Sequence, residues 1–306
     1  MNISEINIYP VKSLKGIALN EAVVEKRGLE FDRRWMLTDP NGIFITQRQV
    51  PKMATVKVKV ESGELIVKSD WAGQMIVPFE PNKGHRQSVV VWKSEVPGLV
   101  YNGEVSEWFS DALGKKCQLV LMPESTERHV SMPFDTGDDI VSFADGYPLL
   151  LIGESSLEEL NRRIGENAER HHPADEASAP LLRQGGEFFE PLPMNRFRPN
   201  VVVSGSAPFE EDRWAKIKIG ETVFRIPKPC ARCQIPTIDQ ATGEFDGNEP
   251  SRTLATFRKA HQVHPDNYKA FGQPANAVLF GENLIPENPG GTIAIGDELE
   301  VLELRK

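Results

Sequence analysis

The chain has 306 residues, of which 40% are hydrophobic and 26% charged, and its net charge is -9. That composition excludes a disordered chain. The length suffices for one large or two moderate domains, at about 150 residues each, with a core that needs no disulfide staples. The acidic balance excludes non-specific nucleic-acid binding, because polyphosphate is repelled, while leaving room for a local Arg and Lys pocket around a small phosphate ligand.

The three cysteines, Cys117, Cys230 and Cys233, do not make a disulfide framework. The first residues show no basic and apolar leader, and no run approaches about 18 apolar residues. The expectation is a cytoplasmic protein with reduced thiols, no membrane partner and no nucleic-acid partner.

In chain order, the first third reads as β structure. Ile6 and Ile8 alternate with polar neighbours, and Thr55 to Val60 alternates apolar with charged side chains, the period of a half-buried strand. Glu61 to Glu64 supplies a turn before Leu65-Ile66-Val67, and Val89 to Trp92 is a further strand. Val105, Trp108, Phe109, Ala112 and Leu113 then fall on one helical face, with Gly114 placed to stop the helix. Cys117 to Met122 reads as a buried strand in which Cys117 is a small core residue. Leu149 to Ile152 is an apolar run followed by a helix over Leu157, Leu160 and Ile164, with Ser155 and Glu158 as a capping box.

Residues from about Glu169 to Pro193 read as a long surface excursion, with His171 and His172 in a solvated loop. Strands are expected at Pro199 to Val203, Ala215 to Ile219 and Thr222 to Ile226. Ser251 is the expected cap of a short helix through Leu254 and Phe257, and Gly291 to Leu299 reads as strand, turn and strand. No repeat of fixed period is present. The class is β-rich α+β.

Cys230 and Cys233 form one C-x-x-C. A structural zinc site needs four ligands, and no second pair exists. A thioredoxin-type dithiol opens a helix, whereas Pro236 and the β-branched residues around it disfavour one here. A thiolate on a soft metal, a redox dithiol and two inert buried thiols remain open on spacing alone. Arg232, between the cysteines, favours a thiolate and can fork onto a phosphate. Tyr9-Pro10-Val11-Lys12-Ser13, Asp32-Arg33-Arg34-Trp35 and Asn195 to Asn200 each put Lys or Arg at a strand end, where loops build sites. Walker A, G-x-G-x-x-G, H-E-x-x-H, G-x-S-x-G and EF-hand patterns are all missing.

Seven segments in order resemble the MOSC (molybdenum cofactor sulfurase C-terminal) family. They are Tyr9 to Gly16, Asp32 to Trp35, Phe197 to Asn200, Cys230 to Cys233, Asp239 to Gly243, Phe280 to Asn283 and Glu287 to Gly290. The resemblance covers nearly the whole chain and is strongest to the amidoxime-reducing component and its bacterial relatives. It implies a MOSC β-barrel with flanking helices and a smaller N-terminal β-barrel-like region. The expected division is residues 1–120 and 121–306, with the first 33 or so packing on the MOSC barrel and roughly 34 to 120 inserted.

The resemblance makes Cys233 the metal ligand and catalytic residue of a molybdenum cofactor (Mo-molybdopterin). By position, Lys12, Ser13, Arg33 and Arg198 correspond to cofactor-holding residues. Asp145, Gly146, Arg232 and Asn283 match less specifically. The implied reaction is two-electron reduction of small N-hydroxylated compounds. The alternative is a cofactor carrier or sulfur-transfer module with a persulfide on Cys233. Pyridoxal phosphate binding is a further property associated with the family. Some bacterial relatives carry a C-terminal ferredoxin domain. Here no cysteine follows Cys233, so the expectation is a separate electron-donor protein carrying flavin, haem or iron–sulfur.

Overall fold

The computed structural model describes residues 1–170 and 190–305, so most of the expected excursion, His171 and His172 included, lies outside the described residues. The strands Asn2–Ile8, Val201–Ser204, Leu149–Gly153, Leu279–Pro286, Thr222–Arg225, Trp214–Ile219 and Leu299–Leu304 hydrogen-bond in that order. The row closes on itself, because Asn2 bridges Glu298 and Leu299 donates its N–H to the Met1 carbonyl at 2.8 Å. Closure removes the unpaired edges and encloses an apolar interior. Ile6, Val24, Leu151, Val203, Trp214, Ile217, Phe224 and Leu284 pack there, none more than 1% exposed.

Leu149–Gly153 and Val201–Ser204 run parallel, which no hairpin allows. The helix Glu154–Arg170 begins the connection, burying Leu157, Leu160 and Ile164 as their spacing predicts. It starts directly on the end of the strand. Ser155 therefore falls inside the first turn, its hydroxyl facing that of Ser206 at 3.4 Å, rather than capping it. Ser251 is likewise the first helical residue of Ser251–Phe257. There Pro250 is the cap residue, and the Glu249 carboxylate before it accepts from the Thr253 N–H and hydroxyl at 3.1 Å each. Among the described residues no helix is long and apolar enough to cross a membrane.

The N-terminal region holds a four-stranded antiparallel sheet, Trp35–Thr38, Gln118–Leu121, Ser94–Val100 and His85–Val91. A three-stranded sheet, Lys57–Glu61, Glu64–Ser69 and Gly73–Pro78, accompanies it. The first strand of that sheet starts two residues later than alternation predicts, because Pro51–Thr55 coils into a 3₁₀ turn. The helix Gly103–Leu113 is capped by the Asn102 side chain and stopped by Gly114 at φ +61°. Its Trp108 and Phe109 pack with Trp35, Leu65 and Val67. Burial pushes the Cys117 thiol in this core up to about 11, which keeps it an unreactive packing residue.

The two regions meet along a short parallel join. Val11 bridges Trp35, Lys12 N–H donates to the Trp35 carbonyl at 2.8 Å, and Arg33 N–H donates to the Tyr9 carbonyl at 3.0 Å.

A buried charge cluster lies elsewhere in the fold. Arg258 forks onto Asp212 at 2.6 and 2.8 Å, and Arg305 donates to Glu282 at 2.7 Å. Glu211 accepts from Ser156 and from Gly153 N–H. Three acids thus face two guanidiniums, one positive charge short. Burial, opposed by Arg305, pushes Glu282 up to about 8, and burial raises Glu211 as well, so a proton shared by these acids can meet the deficit. Unfolded, a glutamate gives up that proton near 4.3. Between about pH 4.5 and 8 Glu282 therefore keeps in the folded chain a proton it has lost in the unfolded one, and its contribution to stability falls as pH rises, by up to ~1.4 kcal/mol per pH unit. Glu282→Gln, which cannot ionise, is expected to lose most of this slope. Urea unfolding of both proteins at pH 5, 6, 7 and 8 checks it, and parallel pH profiles would contradict it.

Candidate cofactor site

Three chain segments bring the predicted cations together at the join. Tyr9 to Ser13 leaves the end of the strand Asn2–Ile8, Asp32 to Trp35 lies alongside, and Phe197 to Asn200 leads into Val201–Ser204. Tyr9 is the platform. The Arg33 guanidinium lies 4.4 Å and the Arg198 guanidinium 4.2 Å from the centre of its ring. Its hydroxyl donates to the Pro199 carbonyl at 3.0 Å. Burial, opposed by both arginines, pushes the phenol up to about 12, so it stays a neutral donor. Gly16 has to be glycine here, because a Cβ would stand 2.5 Å from the Tyr9 ring.

The cations are held by specific partners. Arg33 donates to Asp32 at 2.6 Å and to Asn200 Oδ1 at 2.8 Å. Arg198 donates to the Leu14 carbonyl at 2.8 Å and Gln240 at 3.4 Å. Lys12 Nζ donates to the Phe143 carbonyl at 2.8 Å and to Asp145 Oδ1 at 2.6 Å. Asp145 also accepts from the Trp92 indole at 3.0 Å. Burial pushes Lys12 down, opposed by Asp145, and pushes Arg198 down to about 10. The Asp145 side chain is 65% exposed. Crowding by the protein works against its charge, but Lys12 and the Trp92 N–H outweigh it and hold the carboxyl well below the usual range.

Ser13, Arg33, Trp92 and Arg198 all have left-handed backbone, with φ of +69°, +49°, +56° and +56°. Side-chain-bearing residues reach that region at a cost of about 1–3 kcal/mol each and tend to cluster at working sites. Four of the seven such residues among those described are here.

The cysteine motif sits on a short strand, Pro229–Ala231, paired with Leu279–Pro286. A 3₁₀ turn, Ile235–Thr237, follows rather than an α-helix, as Pro236 predicts. Cys233 is exposed and free, whereas Cys230 is partly buried. Arg232 does not serve the two thiols alike. It donates to Cys230 Sγ at 3.3 Å and to the Phe197 carbonyl at 2.8 Å, and its buried Nε has no partner among the described residues. Burial pushes the Cys230 thiol up, opposed by Arg232. The Asp145 charge also pushes this thiol up, which ties the motif to the Lys12 cluster.

Of the remaining expected residues, Gly146 accepts the Ser131 N–H at its carbonyl, and Asn283 spends its amide on the Lys228 carbonyl at 3.1 Å. Arg34, next to Arg33, turns away to the Met122 carbonyl and Glu124. Sequence reasoning missed Arg128, which donates to the Ser142, Ala144 and Asp145 carbonyls. It also missed Trp92, Gln47 and Gln240. Gln47 donates to the Ser13 carbonyl at 2.8 Å and pairs with Gln240 at 3.1 Å. Of these, only Gln240 had a local signal, lying in the segment Asp239 to Gly243. Tyr9 and Asp32 did have a signal, standing at the same strand ends as Lys12 and Arg33.

An open groove of about 710 Å³ starts at Gln234, the residue after Cys233, and runs past Thr237, Phe245 and Arg252. A smaller hollow of about 250 Å³ between Arg86 and Pro97 contains none of the expected residues. Asp212, His264 and Glu282 also stand within 4.8 Å of one another and by type could ligate a metal. Arg258 and Arg305 are already bonded to Asp212 and Glu282, so a dication there would meet two guanidiniums.

Residues 1–116 match the model of the MOSC N-terminal beta barrel domain, and residues 138–300 match the MOSC domain. The chain is 29% identical over 311 residues to mitochondrial amidoxime-reducing component 1 of Mus musculus, covering 98% of this chain and 82% of that protein. To the Homo sapiens component 1 it is 26% identical, again over 98% of this chain and 82% of that one. To the molybdenum cofactor sulfurase of Oryza sativa subsp. japonica it is 30% identical over 272 residues, 85% of this chain but 31% of that protein. It thus spans about a third of the plant sulfurase it matches.

Asp32 is the buried counter-charge of the platform, 1% exposed, bonded to Arg33 and accepting the Tyr9 N–H at 2.8 Å. Removing one partner of a buried pair leaves the other charge uncompensated. Asp32→Ala is expected to destabilise the fold by about 3–5 kcal/mol, with Asp32→Asn, which still accepts from Tyr9, costing less. Urea midpoints measure both, and equal loss in the two variants would contradict the charge argument.

Proposed function

The chain belongs to the MOSC family, and from that premise we propose that it is an oxidoreductase that holds a molybdenum cofactor through Cys233 and reduces N-hydroxylated compounds. One observation carries the reading: Cys233, exposed and free, follows Arg232, which bonds the Phe197 carbonyl next to Arg198 in a nest of cations built on left-handed backbone. Among the described residues, the connected cluster of Lys12, Arg33, Arg128, Arg198 and Arg232 is paired with two carboxylates, Asp32 and Asp145. Arg196, close by in the chain, is taken by Asp239 and Asp246. Buried charge without a counter-charge is costly, so the excess suits an anionic ligand.

The residues present fit the cofactor. Molybdopterin carries a phosphate and a polar pterin, which call for charged and neutral donors. Lys12, Ser13, Arg33 and Arg198 would supply these. Arg232 brings a buried Nε with no partner among the described residues, and by the resemblance Asp145, Gly146 and Asn283 would complete the surround. A thiolate is a strong donor to a soft metal centre, the role of Cys233. When bound, the cofactor supplies two-electron chemistry in which R–NHOH, two electrons and two protons give R–NH₂ and water.

The chain's own part is placement. Cys233 follows two residues behind a strand hydrogen-bonded to Leu279–Pro286, which limits its movement. Its exposure and the groove beginning at Gln234 leave room for a small substrate. Arg232 restrains Cys230 and so leaves Cys233 as the thiol without an arginine contact. Electrons come, in this reading, from a separate protein carrying flavin, haem or iron–sulfur. The division of the chain that accompanies the reading is discontinuous, with residues 1–33 belonging to the barrel. It is supported by the pairing of Asn2–Ile8 with Val201–Ser204.

The plant sulfurase relatives favour a second reading, in which Cys233 carries sulfur as a persulfide and the protein delivers rather than uses the cofactor.

Protein purified from a host that makes the cofactor is expected to carry about one molybdenum and one pterin per chain. Cys233→Ser is expected to lose the metal and Cys230→Ser to keep it. With a strong chemical reductant the wild type should reduce an N-hydroxylated amidine. Metal without that reduction turns the assignment to the carrier. A metal-free wild type with a reversible Cys230–Cys233 disulfide sinks it in favour of a dithiol.

A further inference from the structure

The cations so far described are partly spent on protein groups, but one at the rim is not. Arg48 lies in the loop after Thr46, and Gln47 pins this loop to the site through the Ser13 carbonyl and Gln240. The Arg48 guanidinium lies over the Trp92 ring, 4.3 Å from its centre, and its Nε donates to the Thr46 hydroxyl at 3.3 Å. Trp92 in turn donates to the same Asp145 oxygen that accepts from Lys12, so Arg48 stands three contacts from Lys12. Among the described residues no carboxylate lies within 4.0 Å of it. Its hydrogen bond among the described residues is that of Nε, and its four terminal N–H groups have no partner there. Phe44, 5.2 Å from Trp92 ring to ring, backs the stack.

A half-buried guanidinium held flat on an indole, with its fork open, is preorganised for an oxyanion. Structural arginines in this chain look different. Arg258 is forked onto a carboxylate and Arg128 is filled by three carbonyls. The backbone of Trp92 is itself left-handed, at φ +56°, a conformation that a plain surface turn would give to Gly or Asn.

We propose that Arg48, seated on Trp92, is an oxyanion-binding residue of this site, contributed by the N-terminal β region and taking a phosphate-type group of a ligand that lies over Lys12 and Ser13. The inference rests on the site being a ligand cradle but not on the ligand's metal. Two sources share that chemistry: the phosphate of the cofactor, or an anionic group on the substrate.

The probe is inorganic phosphate, titrated into the full chain made in a host without cofactor synthesis. Binding is followed by tryptophan fluorescence and by thermal stabilisation. Saturable binding is expected. Arg48→Ala is expected to weaken it at least tenfold, and Arg48→Lys, which keeps the charge but loses the fork, to fall between. Trp92→Phe should remove most of the fluorescence change while leaving much of the binding. Unfolding of the variants without phosphate separates lost binding from lost fold. Wild-type and Arg48→Ala protein with equal phosphate affinity, or a wild type with no saturable response, overturns the proposal.

The source is read from protein made with the cofactor. Pterin lost on dialysis from Arg48→Ala assigns the cofactor phosphate. Retained pterin with a raised KM for phosphate-bearing substrates and an unchanged kcat assigns the substrate. A wild type that lacks molybdenum yet binds phosphate through Arg48 defeats the cofactor reading and leaves this one standing.

Discussion

The site depends on a few backbone hydrogen bonds between Tyr9–Lys12 and Arg33–Trp35. Tyr9 closes off a barrel strand, and Trp35 opens the sheet of the N-terminal region. The join is only a few residues long, so it adds little stability by itself. Its effect is positional. Fixing Lys12 against Trp35 and Arg33 against Tyr9 sets two cations on one side of the chain and sends Arg34 to the other, towards Glu124. The Tyr9 ring then gives both Arg33 and Arg198 a flat surface, which delocalised guanidiniums accept and ammonium groups use less well. Misplacing this join would scatter the cradle while leaving the barrel interior intact, because Trp214, Phe224 and Leu284 lie away from it.

The molecule buries charge in two ways. In the Glu282 cluster the acids outnumber the arginines, and the deficit is met by a proton, a solution that needs no ligand. In the cradle the cations outnumber the acids, and a proton cannot help, because arginine does not give one up in the neutral range. Only an anion can correct a surplus of guanidinium. Opposite imbalances therefore have different consequences. The first makes the fold sensitive to pH, and the second makes the site receptive to a negatively charged group.

How far the sequence revealed this follows the range of each interaction. Strands with regular alternation and the helix Gly103–Leu113 were legible because their pattern and caps are local. The cap expectations for Ser155 and Ser251 failed because neighbouring elements took the position first, the strand ending at Gly153 in one case and Pro250 in the other. In the cradle, Lys12, Ser13, Arg33 and Arg198 were legible because each adjoins a strand end within a short motif. Arg128, Gln47, Arg48 and Trp92 were not. They reach the site across separations such as the 193 residues between Gln47 and Gln240, and no local pattern encodes such a contact. The left-handed backbone at Ser13, Arg33 and Arg198 was equally invisible, because residue type suggests positive φ only for Gly, Asn and Asp.

The C-x-x-C pair shows what geometry adds to a motif that spacing left open. Two cysteines three apart look equivalent in sequence, and an arginine between them seems to serve both. In the fold it serves one. Arg232 turns back onto Cys230 and anchors itself on the Phe197 carbonyl, beside Arg198. Cys230 is thereby a partly buried, arginine-bound sulfur, and Cys233 is left at the surface. A symmetric dithiol would place both sulfurs in comparable settings, so that either could attack or be attacked. The difference in burial instead places the two sulfurs in separate settings, with Cys230 fixing Arg232 and Cys233 left accessible. The same arginine ties the cysteine strand to the Phe197–Asn200 segment. Loss of Cys230 would then be felt first in the position of Arg232, and only through it at Cys233.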